Sequence, residues 1–219
     1  TVAWSPSGKH LLTASYDGTA KVWEPDPYLL TITDLEDLEG GVAWSPGGDR
    51  IAAGFHNGTA RVWDAVTGEE LLMLRGAERV LFPLPGWSPD GSRLLTLNLW
   101  EAGPDKPSAR VWDTTSGKEL LTLFGHSGNV FGGGWSPNGK RLVTGGESDT
   151  TARVWDAETG EELLVFTGHT GGVCSARWSP DGRTIATGSR DGAVKIWEAT
   201  TGKVIRTLSP QGVASGMTV

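Results

Sequence analysis

Short apolar stretches alternate with turn-forming residues along the whole chain, a pattern typical of an all-β protein. Near the C-terminal end, residues 184–187 and 193–198 are β-compatible stretches on either side of Asp191-Gly192. Asp-Gly and Asn-Gly pairs favour tight β-hairpins, because both residue types tolerate the positive φ angles that these turns require. No stretch carries apolar residues at helical spacing over a useful length, so we predict strands and turns throughout.

The same order of elements recurs five times. Trp-Ser-Pro occurs at intervals of 40, 43, 48 and 43 residues, beginning at Trp4, Trp44, Trp87, Trp135 and Trp178. A second Trp, followed by Asp or Glu, occurs at Trp23, Trp63, Trp112, Trp155 and Trp197. We expect each unit to form four antiparallel strands, with the Pro and Gly of Trp-Ser-Pro-x-Gly turning the chain between the first two.

Four short strands per unit, ending in Trp and an acid, resemble the blades of WD-repeat β-propellers. The Gly-His dipeptide of that family is present at Gly125-His126 and Gly168-His169. The resemblance covers essentially the whole chain and implies one all-β propeller domain over residues 1–219, with four-stranded antiparallel blades. The repeats are expected at about 1–33, 34–75, 76–124, 125–167 and 168–208, and 209–219 is expected to start a further repeat or to supply a closing strand.

The number of blades in the functional ring stays open. The chain starts at Thr1 instead of Met, which favours a processed or excised segment. The five repeats are either a window of a larger propeller or a complete five-bladed ring in which head and tail share a strand. We favour the window, because propellers of this family usually have more than five blades. An open arc would leave unpaired strand edges, which invite association.

The resemblance also implies a hydrogen-bonded tetrad inside each blade, made of a His, a Thr, an Asp and a Trp. The members in this sequence are His126, Thr144, Asp149 and Trp155 in the fourth repeat, His169, Thr187, Asp191 and Trp197 in the fifth, and Thr13, Asp17 and Trp23 in the first. Repeats two and three lack the His, so we predict that their blades are less rigid. Because the same trio recurs beneath a Trp, it is a poor candidate for a catalytic triad.

Composition narrows the classes of partner. Lys and Arg total 19 against 26 Asp and Glu, a net charge of −7, which argues against a nucleic-acid partner. No apolar stretch approaches the roughly 18 residues of a membrane span, and no secretion signal is evident, so we expect a cytoplasmic protein without a membrane partner. No His pair has metal-ligand spacing, and we expect no metal, no cofactor and no catalytic residue.

The function that the resemblance implies is binding of a protein or peptide at the face that carries the tight turns. Candidate contact residues are Tyr16, His56, Arg79, Asn129, Phe131, Arg190 and, in an insertion of the third repeat, Trp100. We expect a non-enzymatic interaction scaffold, resembling prokaryotic members in which such arrays often follow a kinase or NTPase domain and act as the sensor or scaffold part of a signalling protein.

The sequence leaves two alternative functions. The repeats are alternatively a structural oligomerisation element that completes a propeller ring in trans. A quinoprotein-like propeller enzyme is the least favoured alternative. It rests on a weak resemblance of residues 156–163, which no cofactor or Ca²⁺ constellation accompanies.

Overall fold

The computed structural model describes residues 1–15, 17–24, 28–33, 35, 38–55, 57–76, 86–98 and 105–209, and within them the regular elements are all strands. Twenty strands form five four-stranded antiparallel sheets, which confirms the predicted all-β fold. Blade one contains β1 (Val2–Trp4), β2 (Leu11–Ala14), β3 (Ala20–Trp23) and β4 (Tyr28–Ile32). Blade two contains β5 (Leu38–Trp44), β6 (Arg50–Phe55), β7 (Thr59–Asp64) and β8 (Glu70–Arg75). Blade three contains β9 (Gly86–Trp87), β10 (Arg93–Leu97), β11 (Pro107–Asp113) and β12 (Glu119–Phe124).

Blades four and five complete the series. Blade four contains β13 (Val130–Trp135), β14 (Arg141–Gly146), β15 (Ala152–Asp156) and β16 (Glu162–Phe166). Blade five contains β17 (Val173–Trp178), β18 (Thr184–Ser189), β19 (Val194–Glu198) and β20 (Val204–Leu208). In each blade the strands pair in chain order, and the first strand packs against the first strand of the next blade. Within the described residues, blades one and five share no strand; residues 210–219 lie outside them.

The serine of each Trp-Ser-Pro-x-Gly turn holds the first hairpin of its blade. The Ser45 hydroxyl accepts the backbone N–H of Arg50 at 3.0 Å and donates to the Asp49 carboxylate at 2.7 Å. The acceptor role recurs in the other four blades, at Ser5, Ser88, Ser136 and Ser179. Pro and Gly alone predict this turn from the sequence, but the serine hydroxyl also satisfies a backbone donor that the hairpin leaves unpaired.

The hydrophobic core lies between consecutive blades. The face that each blade turns to the preceding one, its leading face, carries both repeat tryptophans, as Trp44 and Trp63 do in blade two. The opposite, trailing face of blade one presents Leu12, Val22 and Ile32 to them. The same kind of cluster fills the junctions of blades two and three, three and four, and four and five. Each blade therefore depends on its neighbours for burial of its apolar faces.

Polar contacts reinforce the junctions. The Arg50 guanidinium of blade two lies 5.0 Å from the ring centre of Trp87 in blade three, and it donates to the carbonyls of Gly91 and Thr114 at 3.0 and 3.2 Å. Arg93 makes the equivalent contacts from blade three to blade four. A stacked guanidinium with fixed carbonyl acceptors ties two turns together across the junction.

The described residues leave the outer faces of the first and last blades exposed. On the leading face of blade one, Trp4 is 66 % exposed, whereas its counterpart Trp44 in blade two is 9 % exposed. On the trailing face of blade five, Leu208 and Val194 are 46 % and 40 % exposed, whereas Phe166, the counterpart of Leu208 in blade four, is 1 % exposed. These two surfaces are the two halves of the contact that every internal junction makes.

Junction packing predicts different costs for two substitutions that remove the same hydrogen bond. Trp197 and Trp23 each donate to a Thr hydroxyl at 2.7 Å, but Trp197 is buried and stacks on Phe166 of blade four at 5.2 Å, whereas Trp23 is 36 % exposed. We expect Trp197→Ala to lower the free energy of unfolding by about 3–5 kcal/mol and Trp23→Ala by roughly half as much or less. Urea denaturation measures both. Equal costs would contradict the placement of the core between blades.

Candidate functional site

Four side chains of blade four form a continuous hydrogen-bonded chain. The indole N–H of Trp155 donates to the Thr144 hydroxyl at 2.8 Å, and that hydroxyl lies 2.8 Å from Nε2 of His126. Nδ1 of His126 lies 2.8 Å from the Asp149 carboxylate, whose other oxygen accepts the backbone N–H of Thr151 at 3.1 Å. His126 and Thr144 are buried. The structure thus brings together all four residues that the resemblance implied.

Blade five repeats the arrangement with His169, Thr187, Asp191 and Trp197, at 2.7–2.8 Å for each contact. An indole nitrogen can only donate, so the Thr hydroxyl accepts from it and is free to donate to Nε2 of the His. The His proton then lies on Nδ1 and points to the carboxylate. Each member thus donates to the next, from the Trp in the core to the Asp at the surface, and every polar group of the tetrad has a hydrogen-bond partner.

The aspartates at the surface end are held in the charged form. Burial by itself would raise the pKa of Asp149, but the hydrogen bonds from His126 and Thr151 hold it well below its usual range. Burial likewise opposes ionisation of Asp191, and the backbone N–H groups of Ala193 and Thr170, followed by His169, lower its pKa. Each Asp therefore ties the tight turn to the loop that enters the first strand.

The other blades keep only parts of the tetrad. Trp23 donates to Thr13 at 2.7 Å in blade one, and Trp112 donates to Thr96 at 2.9 Å in blade three. The Asp17 carboxylate accepts the N–H and the hydroxyl of Thr19, so it fixes its own turn, and no His for this blade stands in the given sequence. Asn57 plays the same part in the turn of blade two.

Blade two replaces the polar chain with apolar packing. Ala53 stands where the other blades have Thr, and the fully buried Phe55 lies 6.2 Å from Trp63 between ring centres. His126 lies at the same 6.2 Å from Trp155 in blade four. The missing histidine is thus compensated by another aromatic ring, which a pattern of polar residues does not reveal. The lower rigidity of blades two and three stays a prediction.

The tetrads offer no reactive group. Thr144 is fully buried and its hydroxyl is bonded on both sides, so it is not placed to attack a substrate. Groups of three or more His, Cys, Asp or Glu side chains with metal-site geometry are absent from the described residues. The same part of the chain contains no helix long and apolar enough to cross a membrane. What the tetrads do is fix the tight turns, and hence the shape of the face that carries them.

Three of the candidate contact residues meet on that face, at the junction of blades four and five. The Arg190 guanidinium of blade five lies 5.6 Å from the ring centre of Phe131 in blade four and pairs with the Glu147 carboxylate. Glu147 also accepts the Asn129 side-chain amide at 3.0 Å. We call Asn129, Phe131, Glu147 and Arg190 the Arg190 cluster. Glu147, its central member, was not among the sequence candidates, because no repeat position marked it.

The remaining candidates cannot be placed. Tyr16, His56, Arg79 and Trp100 lie outside the described residues. They stay predictions from the sequence.

The lowered aspartate pKa values predict a pH-dependent contribution to stability. Asp149→Asn removes a charged acceptor, and we expect it to cost about 1–3 kcal/mol at neutral pH. A folded-state pKa below the unfolded value of about 3.9 means that this contribution is present above pH 4 or so and is lost as the pH falls further. In urea denaturation the difference between the wild type and the variant should therefore begin to narrow below about pH 4 and vanish only below the lowered folded-state pKa of Asp149. Glu161→Gln, on an exposed turn, serves as the control; a difference that does not change with pH would contradict the assignment.

Comparison with known families agrees with this geometry. The family model described as WD domain, G-beta repeat matches residues 1–24, 40–64, 117–156 and 160–198, more than half of the chain. The unmatched segment between 64 and 117 contains most of the third repeat, which has neither the His nor the Asp of the tetrad. No curated protein matches the chain significantly. With five four-stranded blades and a family match that extends over most of its length, the chain belongs to the WD-domain, G-beta repeat family.

Proposed function

We propose that this chain is a non-enzymatic interaction domain that binds a protein or peptide partner at its tight-turn face, with the Arg190 cluster as a central contact. WD repeats generally mediate protein–protein interaction and scaffolding. The observation that supports this particular surface is the convergence of Asn129, Phe131 and Arg190, from two blades, around Glu147.

The chemistry of the cluster suits recognition. The Arg190 side chain is 61 % exposed, yet its guanidinium is held by the Phe131 ring and the Glu147 carboxylate. Because it is ordered before binding, it loses less entropy when a partner docks. Arginine and aromatic side chains contribute most to interface energies, and an arginine suits a carboxylate or an aromatic ring on the partner. The regular repeats, which resemble prokaryotic members, support a place in the sensor or scaffold part of a signalling protein.

The test identifies the partner and then measures its affinity. A photo-crosslinking amino acid at position 190 should capture a specific partner, whereas one at position 203, beyond the opposite end of β19, should not. With the purified partner, Arg190→Ala should weaken binding at least about tenfold and Lys203→Ala should leave it unchanged. Equal partner affinity of the two variants would contradict binding at the proposed face.

A second candidate function is completion of a propeller ring in trans. The specific observation in its favour is that the uncovered faces of blades one and five present the residues that pack together at every internal junction. Trp4 of one copy could then lie against Leu208 and Val194 of another. Such a contact is heterologous, and it closes only if the rotation per chain permits it.

Solution mass by light scattering tests this candidate. Pairing of end faces predicts a dimer or larger species, which Leu208→Glu should convert to monomer because it places a charge in the contact. Leu120→Glu is a matched control, since Leu120 on β12 is 45 % exposed and Leu208 is 46 % exposed. A monomeric wild type would exclude pairing of these faces and leave the tight-turn face as the functional surface.

A further inference from the structure

The first strands of all five blades line one central cavity of about 600 Å³, which is widely open to solvent. Its walls are formed largely by small residues and by repeat tryptophans such as Trp44, Trp87 and Trp135. The indole N–H groups of these three already donate to carbonyls of the preceding blade, at 3.3, 3.4 and 2.8 Å. What they offer to the cavity is therefore the apolar surface of their rings. This volume lies within the range of small-molecule sites.

One lining position differs sharply among the repeats. The residue before Trp-Ser-Pro is Ala3, Ala43, Gly86 and Gly134 in blades one to four, and Arg177 in blade five. Arg177 is the one charged side chain among the described residues that line the cavity. Four equivalent positions show that the blade needs only a small residue there, so blade architecture does not account for the arginine.

The charge of Arg177 has no counter-ion in the described part of the chain. Its Nη1 donates to the carbonyls of Gly133 and Ala176, and no carboxylate of the described residues forms an ion pair with it. Nε and Nη2 have no acceptor among those residues either. Desolvation lowers the pKa of the guanidinium, which nevertheless stays charged at any physiological pH. Arg177 is nevertheless exposed, so its unpaired edge is open to an anion that enters the cavity.

The strand that carries this arginine approaches its neighbour in blade four closely. Gly132 permits the approach of β13 to β17, because a Cβ on Gly132 would lie 2.6 Å from Cα of Ser175. At the same junction the indole N–H of Trp178 is buried without an acceptor, although the equivalent tryptophans of blades two to four have one. Local features that lower stability without structural gain are typical of functional sites.

We propose that Arg177 forms a binding site in the central cavity for a small organic carboxylate, whose apolar body lies against the tryptophan rings. The free edge of the guanidinium, Nε and Nη2, has the geometry for two parallel hydrogen bonds to a carboxylate. The site lies on the inner strands and is separate from the Arg190 cluster, so either proposal can fail without the other.

Benzoate is the probe, and calorimetry measures its affinity. We expect saturable binding to the wild type, roughly millimolar for a ligand of this size. Benzyl alcohol, the neutral analogue, and inorganic phosphate, which lacks the apolar body, should each bind at least about tenfold more weakly. Absence of saturable benzoate binding, or equal affinity for benzyl alcohol, would overturn the proposal. Equal affinity for phosphate would overturn the assignment of the apolar body to the tryptophan rings.

Two variants assign the effect to Arg177. Arg177→Gln keeps a donor for Gly133 but removes the charge, and it should weaken benzoate at least about tenfold. Arg206→Gln makes the same change of charge on the exposed outer strand β20 and should have no effect. Unchanged affinity in Arg177→Gln would refute the site. If that variant does not fold, indole NMR signals of the wild type decide: benzoate should shift those of Trp44, Trp87 and Trp135 and leave Trp155 unmoved.

Discussion

The contact between the leading face of one blade and the trailing face of the blade before it is the interaction on which the rest of the structure depends. A single four-stranded sheet of this kind is apolar on both faces, so it is stable only between neighbours. Burial of apolar faces does not by itself set the orientation of one blade on the next. Indole–carbonyl hydrogen bonds and the stacked guanidiniums of Arg50 and Arg93 are directional, and they fix that orientation. The tetrads act inside a blade, where they connect this core to the turns at the surface.

Both candidate binding sites lie at one junction, between blades four and five. On the tight-turn face, Arg190 of blade five contacts Phe131 and Glu147 of blade four. In the cavity, Arg177 of blade five donates to Gly133 of blade four. These two blades also have the complete tetrads. Arg190 and Arg177 therefore belong to a blade whose tight turn is held by a full hydrogen-bonded chain. A rigid scaffold beneath exposed polar groups is what specific recognition requires.

Repetition made much of the fold predictable. The periods of Trp-Ser-Pro and Trp-acid gave the five units and their four strands, and the matching residues of the fourth and fifth repeats come together as the tetrads. Contacts between blades could not be read in this way, because they depend on how one sheet is rotated against the next. Glu147 was missed for that reason. Phe55, which contacts Trp63 inside blade two, was missed because it is apolar where the family pattern is polar. Arg177 is visible in the sequence as the exception at a position that otherwise holds Ala or Gly. Only the structure shows that this position lines the central cavity.

The building of every sheet from four consecutive strands has a consequence for how the chain folds. Nearly all backbone pairing joins segments close in sequence, so each blade closes short loops at small entropic cost. A pair of neighbouring blades can therefore form while the rest of the chain is still disordered, and its leading face then offers a surface for the blade before it. Blades four and five, with complete tetrads and tight turns, are the natural starting point, and order would spread from them toward the N-terminus.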